Sequence, residues 1–251
     1  MDDVEIYVLH YKKADLMAAP EDERAFFLMI TQVANDVQIL WKQITFALNT
    51  KAKGEIEKQA ANAVAMLNMR LLCGVLEEGQ QTVRKTFEKI RASYESEFRP
   101  ETRNALENLT EYFSNRENII SMVRNKISFH ADEKMYKRAL TSLEDNTALG
   151  DYLCPKLNNT LYLTGTIIND AIIRKMTGMD DERSLEEVKE RAFEATSWLN
   201  NIAYAYMQHF AKRYLESGLK DMKNHREIVH GVNSFDEIVL PFFSVVTESS
   251  S

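Results

Sequence analysis

Glycine and proline are scarce in this chain, at 8 and 4 of 251 residues. Turn-dense all-β folds are excluded on that ground, and long runs with an apolar residue every three or four positions stand in their place. Cysteine is scarcer still. Cys73 and Cys154 have no CxxC partner and no histidine cluster nearby, so neither a disulfide framework nor a cysteine-based zinc site is expected. Cys73 lies among Leu71, Leu72, Val75 and Leu76, where a thiol serves as a small apolar side chain.

An excess of positive charge is also missing. Lys and Arg number 31 against 38 Asp and Glu, a formal charge of −7. That argues against a protein that coats nucleic acid non-specifically, while leaving room for a local basic groove that admits one strand. No stretch reaches the run of about 18 apolar residues that a membrane span needs. The acidic start Met1-Asp2-Asp3-Val4-Glu5 lacks the features of a secretory signal. The expectation is a cytoplasmic protein with no membrane partner, in which the Asn-x-Thr triplets at Asn108 and Asn158 are accidental. A phosphate-binding glycine loop, GxSxG, HExxH and Cys/His metal spacings are all absent from the sequence, so no cofactor and no metal is expected. The adjacent acids Glu77-Glu78, Asp180-Asp181 and Glu186-Glu187 splay around a helix and read as solvated faces or dipole partners.

What is present is helical pattern. Pro20-Glu21-Asp22-Glu23 opens a run through Phe26, Ile30, Val33, Val37, Leu40, Ile44 and Ala47. A second run starts at Glu55 and resumes through Val83, Phe87, Ile90 and Tyr94. Gly74 and Gly79 make a kink or break between them an expectation, since each costs a helix about 1 kcal/mol relative to alanine. A third spans Glu101 to Phe113, and a short one Asp132 to Leu143. Turn formers crowd Glu144 to Thr164, with Leu161-Tyr162-Leu163 as a short extended segment, and strand is expected only there. Helix returns from Ile167 to Met176 and stops at Gly178. Ser184-Leu185-Glu186-Glu187 reads as a capping box for the most regular helix, in which His209 occupies the core seam. His225 and His230 read as loop residues. The apolar stretch Ile238 to Val246 should dock on the bundle or on a partner. The fold class is therefore all-α: a bundle of about five to seven helices with a small irregular or short-strand insertion. One domain, 1–251, is expected, with an N-terminal arm 1–19, the turn-rich insertion 144–164 and a C-terminal extension 219–251.

One stretch does not suit core filling. Ser114-Asn115-Arg116-Glu117 reads as a capping box, followed by Ile119, Ile120, Val123 and Ile127 on one face. On a regular helix His130 falls near the centre of that stripe, and Arg124 at its edge, about 120° away. A permanently charged guanidinium beside an apolar face, with an imidazole that titrates near neutrality ahead of it, suggests chemistry. The same residues are also compatible with a hydrogen-bonded core histidine and an arginine that reaches to water.

Arg124-Asn125-Lys126-Ile127-Ser128-Phe129-His130 resembles the R-x(4–6)-H signature of the HEPN superfamily (higher eukaryotes and prokaryotes nucleotide-binding domains), in which a polar residue commonly follows the arginine. The match covers residues 114–132, and the rest agrees as a helical layout. The resemblance implies a bundle that dimerises around the motif. It also implies a metal-independent endoribonuclease of the kind found in toxin–antitoxin, phage-defence and RNA-processing systems. Carried over by position, Arg124 and His130 are the catalytic pair and Asn125 the accessory polar residue. RNA, a second copy of the chain and an antitoxin or other protein are the implied partners. The alternative is a non-catalytic module of the same fold that binds nucleotide, RNA or protein. The acidic balance, the 144–164 segment and the long C-terminal helix depart from the minimal domain.

Overall fold

The structure is a computed structural model that describes residues 2–49, 54–128, 132–155, 159–179, 181–222 and 225–244. It is an all-α bundle with a small two-stranded sheet, and its described residues form nine helices when helical pieces that run on from one another are taken as one. The surplus over the sequence expectation comes from pieces too short to show a period, such as α1, Lys13–Met17, and α10, Glu216–Met222.

Three long helices carry the core. α2, Glu21–Leu48, starts after Pro20 with three carboxylates in its first turn, where they face the positive end of the helix dipole. α3, Glu55–Thr82, packs along α2 after a short connection. It continues through a π-turn, Val83–Phe87, into α4, Glu88–Tyr94, so that one rod runs from Glu55 to Glu97. α9, Asp181–Tyr214, packs against both α2 and α3. α5, Pro100–Ser114, lies on α9, while α7, Glu133–Ser142, and α8, Leu163–Thr177, pack together. Gly178 closes α8 at φ 67°, a left-handed position that suits a residue without Cβ. The rod from Glu55 to Glu97 is long and apolar enough by composition to cross a membrane, but half of its most apolar window is buried inside the bundle.

No break occurs at the two glycines. α3 continues through Gly74 and Gly79, and at Gly79 three helices converge: a Cβ there would stand 2.8 Å from both Val33 on α2 and Leu199 on α9. The irregularity arises one turn later, in the π-turn. One end of the bundle is filled by aromatics: Phe26 meets Tyr206 at 4.7 Å, Tyr94 meets Tyr206 at 4.7 Å, and Phe27 stacks on Phe210 at 4.4 Å between ring centroids. Truncating a ring as buried as Phe26 costs about 3–5 kcal/mol.

The strands are not where the composition pointed. β1, Asp2–Tyr7, pairs antiparallel with β2, Arg226–Val232, with Val4 opposite Val229 and Tyr7 opposite Arg226. The arm therefore begins as a strand, and His230 lies in β2, where its Nδ1 is 3.1 Å from the Asp3 carboxylate. Among the described residues of 144–164 there is a single bridge, Tyr152 to Leu161. The C-terminal apolar stretch does dock on the bundle: Phe242 and Phe243 pack on Ala60, Leu161 and Leu163, and Asn159 exchanges two hydrogen bonds with Ser244 at 2.7 and 2.9 Å. Val245 and Val246 lie outside the described residues.

Candidate functional site

α6, Ile119–Val123, brings the motif to the surface of α3. Its cap is not Ser114, which ends α5 and donates to the Glu111 carbonyl at 2.7 Å. Asn115 instead forms a turn by accepting from the Glu117 N–H at 2.9 Å, and Asn118 caps α6 by accepting from the Ser121 N–H at 2.9 Å. Asn118, next to the apolar run, takes the role because its side-chain oxygen reaches one of the N–H groups that the helix start leaves without an intrahelical partner. Likewise α9 already begins at Asp181, so Ser184 is a buried helical residue rather than the start of the helix.

α6 widens at Arg124 into a second π-turn, Arg124–Ser128. A π-turn disturbs the regular hydrogen-bond ladder, and the Ser128 hydroxyl lies within bonding reach of the Val123 carbonyl at 3.1 Å and of the Arg70 carbonyl on α3 at 2.9 Å. Ile120, Val123 and Ile127 are buried as the apolar stripe requires. Such turns are frequent at functional positions.

Arg124 is aimed by its neighbours. One terminal nitrogen donates to Asn125 Oδ1 at 2.9 Å and the other meets Glu78 Oε1 at 3.3 Å, while Nε is buried with no partner among the described residues. Asn125 itself is exposed. The side chain of Glu78 is 61% exposed, so the ion pair faces water and is exchangeable. Beside it, Glu77 accepts from the Ser121 hydroxyl at 2.6 Å. The two adjacent acids thus bind the motif helix instead of only facing solvent. Adjacency in sequence gave no sign of this, because the opposing helix supplies their partners. Lys126 meets Asp132 at 3.7 Å, and Asp132 caps α7 by accepting from the N–H groups of Lys134 and Met135. His130 lies outside the described residues, so the structure brings together Arg124 and Asn125 of the three candidates. No cluster of three or more metal-binding side chains occurs among the described residues.

A second polar cluster escaped the sequence reading. Glu23, buried on α2, accepts from the hydroxyls of Tyr94 and, at 3.0 Å, Tyr214, while Tyr206 donates to the Glu23 carbonyl at 2.7 Å. Arg213 lies 3.9 Å from the Glu23 carboxylate, sits over the Tyr94 ring and pairs with Glu97. His209 is not merely a seam residue, since its Nδ1 is 2.9 Å from Glu97. Burial and then the hydrogen bond to Glu23 push the Tyr94 hydroxyl well above its ordinary range, and burial does the same to Tyr206. The hydrogen bond from Arg213 holds the Glu97 carboxyl below the usual carboxylate range. Every polar group here answers another, which is what a helix clamp requires. Burial also pushes the Cys73 thiol up to about 12, which makes it inert.

No protein-family model, no curated protein and no solved structure matches this chain, so the likeness to the HEPN superfamily rests on the motif residues and the helical layout.

Proposed function

We propose that this protein is a metal-independent endoribonuclease of HEPN type that acts as a dimer through Arg124 and His130. The observation that supports the reading is the orientation of Arg124: Asn125 aligns one edge of the guanidinium, and the acid on its other edge is an exposed one that a phosphate can replace. This is the part expected of a polar residue following the arginine, and it leaves a planar fork of donors for phosphate oxygens.

Cleavage then proceeds without a metal. A histidine removes the proton of the ribose 2′-hydroxyl, the 2′-oxygen forms a bond to phosphorus, and the bond to the 5′-oxygen breaks as a second histidine protonates that oxygen. Arg124 stabilises the negative charge on the phosphorane oxygens. One motif holds one histidine, so a twofold axis beside the motif supplies His130 from each copy. RNA enters by a local groove, and an antitoxin or other protein is the fitting regulator. The rival reading, a non-catalytic module that binds nucleotide, RNA or protein, gains from the Arg124–Glu78 pair, since a structural arginine also keeps a counter-ion.

Incubation of the purified protein with single-stranded RNA in excess chelator separates the two. Cleavage leaving 2′,3′-cyclic phosphate ends is expected, lost by a factor of about 10²–10⁴ in His130→Ala and strongly reduced in Arg124→Lys, with both variants folded. Binding without cleavage supports the rival module. Undiminished cleavage in both variants, accompanied by a loss of thermal stability, removes the motif from the chemistry.

A further inference from the structure

A cavity of about 410 Å³ lies between the C-terminal end of α2, α3 from Gln59 to Arg70, Val123 of α6, α8 from Leu163 to Ile173 and α9 from Leu185 to Lys189. The volume falls within the range of roughly 300–1,000 Å³ usual for small-molecule sites. Its walls are mainly apolar, with Ile44, Met66, Met69, Ile167 and Leu185 among them. The two methionines give it a deformable wall that adapts to flexible chains. Gln59 and Arg70 mark its extent along α3, about 16 Å apart by helix rise.

Charge is distributed unevenly around this space. Lys189 is held by Glu186 at 3.2 Å, and Asp170 is held by Arg174 at 2.9 Å. Arg70 lines the same cavity but its guanidinium meets no acid among the described residues, and its Nε is buried with no hydrogen-bond partner. The backbone there is fixed, since the Arg70 carbonyl accepts from Ser128. An apolar chamber with one uncompensated cation matches a ligand with an apolar body and one negative charge. With Asp170 and Glu186 already paired, Arg70 supplies one positive charge, which a carboxylate matches and a phosphate dianion exceeds.

We propose that the cavity is a binding site for an aliphatic carboxylate of medium chain length, with the carboxylate on Arg70 and the chain along Met66 and Met69. The planar guanidinium suits a carboxylate bidentately. The site is independent of the ribonuclease reading, because it uses neither Arg124 nor His130.

Calorimetric titration of the full-length protein with decanoate, decanol and decyltrimethylammonium, each below its micellar concentration, tests this. Decanoate is expected to bind saturably at one per chain and at least about tenfold tighter than decanol, with the ammonium weakest. Arg70→Met keeps an apolar stem and removes the charge, so its decanoate affinity should fall to that of decanol, and Arg70→Lys should retain part of the preference. The ligand series on the unaltered protein decides the matter even if Arg70→Met does not fold. Decanoate binding no tighter than decanol, uptake without saturation, or an unchanged affinity in folded Arg70→Met would each overturn the proposal.

Discussion

Arg213 and Arg124 each meet a glutamate, and the two pairs differ in everything around them. Glu23, the partner of Arg213, has a side chain only 10% exposed and is enclosed by the hydroxyls of Tyr94 and Tyr214. Glu78, the partner of Arg124, stands open on α3. The lesson concerns what an ion pair is for. A pair whose every acceptor and donor is answered inside the protein fixes helices, and its loss strands buried groups. A pair at the surface adds little to stability and leaves the arginine free to change partners.

The largest effect should come from the buried pair. Glu23→Ala deprives Tyr94 and Tyr214 of their acceptor and removes the carboxylate 3.9 Å from Arg213, and urea unfolding should show a loss of about 3 kcal/mol or more. Should Glu23→Ala prove no more costly than Glu78→Ala, the contrast between the two pairs fails.

The exposed pair should behave oppositely. A double-mutant cycle over Arg124→Gln and Glu78→Gln should return a coupling of about 1 kcal/mol or less in thermal or urea unfolding. On the proposed function, Glu78→Gln alone should tighten RNA binding in a filter or fluorescence assay, since it removes the acid that competes with phosphate. A weaker RNA affinity in Glu78→Gln would make the acid part of the recognition surface rather than a competitor.

How far these regions could be read in advance follows from what sets them. Pro20 as a helix start, Gly178 as a stop and the apolar spacing of α2 and α9 are local signals, and each stands where the sequence placed it. The pairing of β1 with β2 joins the two ends of the chain, and both strands are largely exposed, so neither carries a buried-face alternation to recognise. Gly79 looked like a breaker because its reason, the approach of Val33 and Leu199, lies on other helices. Glu77, Glu78 and Glu23 were invisible as partners for the same cause. At the candidate site the sequence supplied Arg124 and Asn125, but a π-turn depends on one extra residue that no period reveals.

The smallest expected effect concerns Glu97, at the solvent edge of the buried pair. Its folded carboxyl is held below the ordinary value of about 4.3 by Arg213, so the unfolded chain binds more protons in the acid range. The stabilisation is therefore complete above that ordinary value and fades as pH falls through the folded one. Its side chain is 43% exposed, which screens the gain. Urea midpoints of wild type and Glu97→Gln should differ slightly near pH 6 and converge near pH 2, as rough limits of that window. A gap that persists in acid would assign the difference to packing instead of charge.

The π-turn at Val83–Phe87 also acts as a phase setter. Deleting one residue from this turn would let it close into an ordinary α-turn and leave α4 in place, whereas a deletion in the regular part of α3 would rotate everything after it by about 100°. In that second case Phe87, Ile90 and Tyr94, all buried now, would swing off the core together, and Tyr94 would lose Glu23. A surplus residue held in one turn leaves the segments on either side free of the misphasing it would otherwise cause, so the place where the rod best absorbs the loss of a residue is Val83–Phe87, and a deletion anywhere in α3 before it is worse.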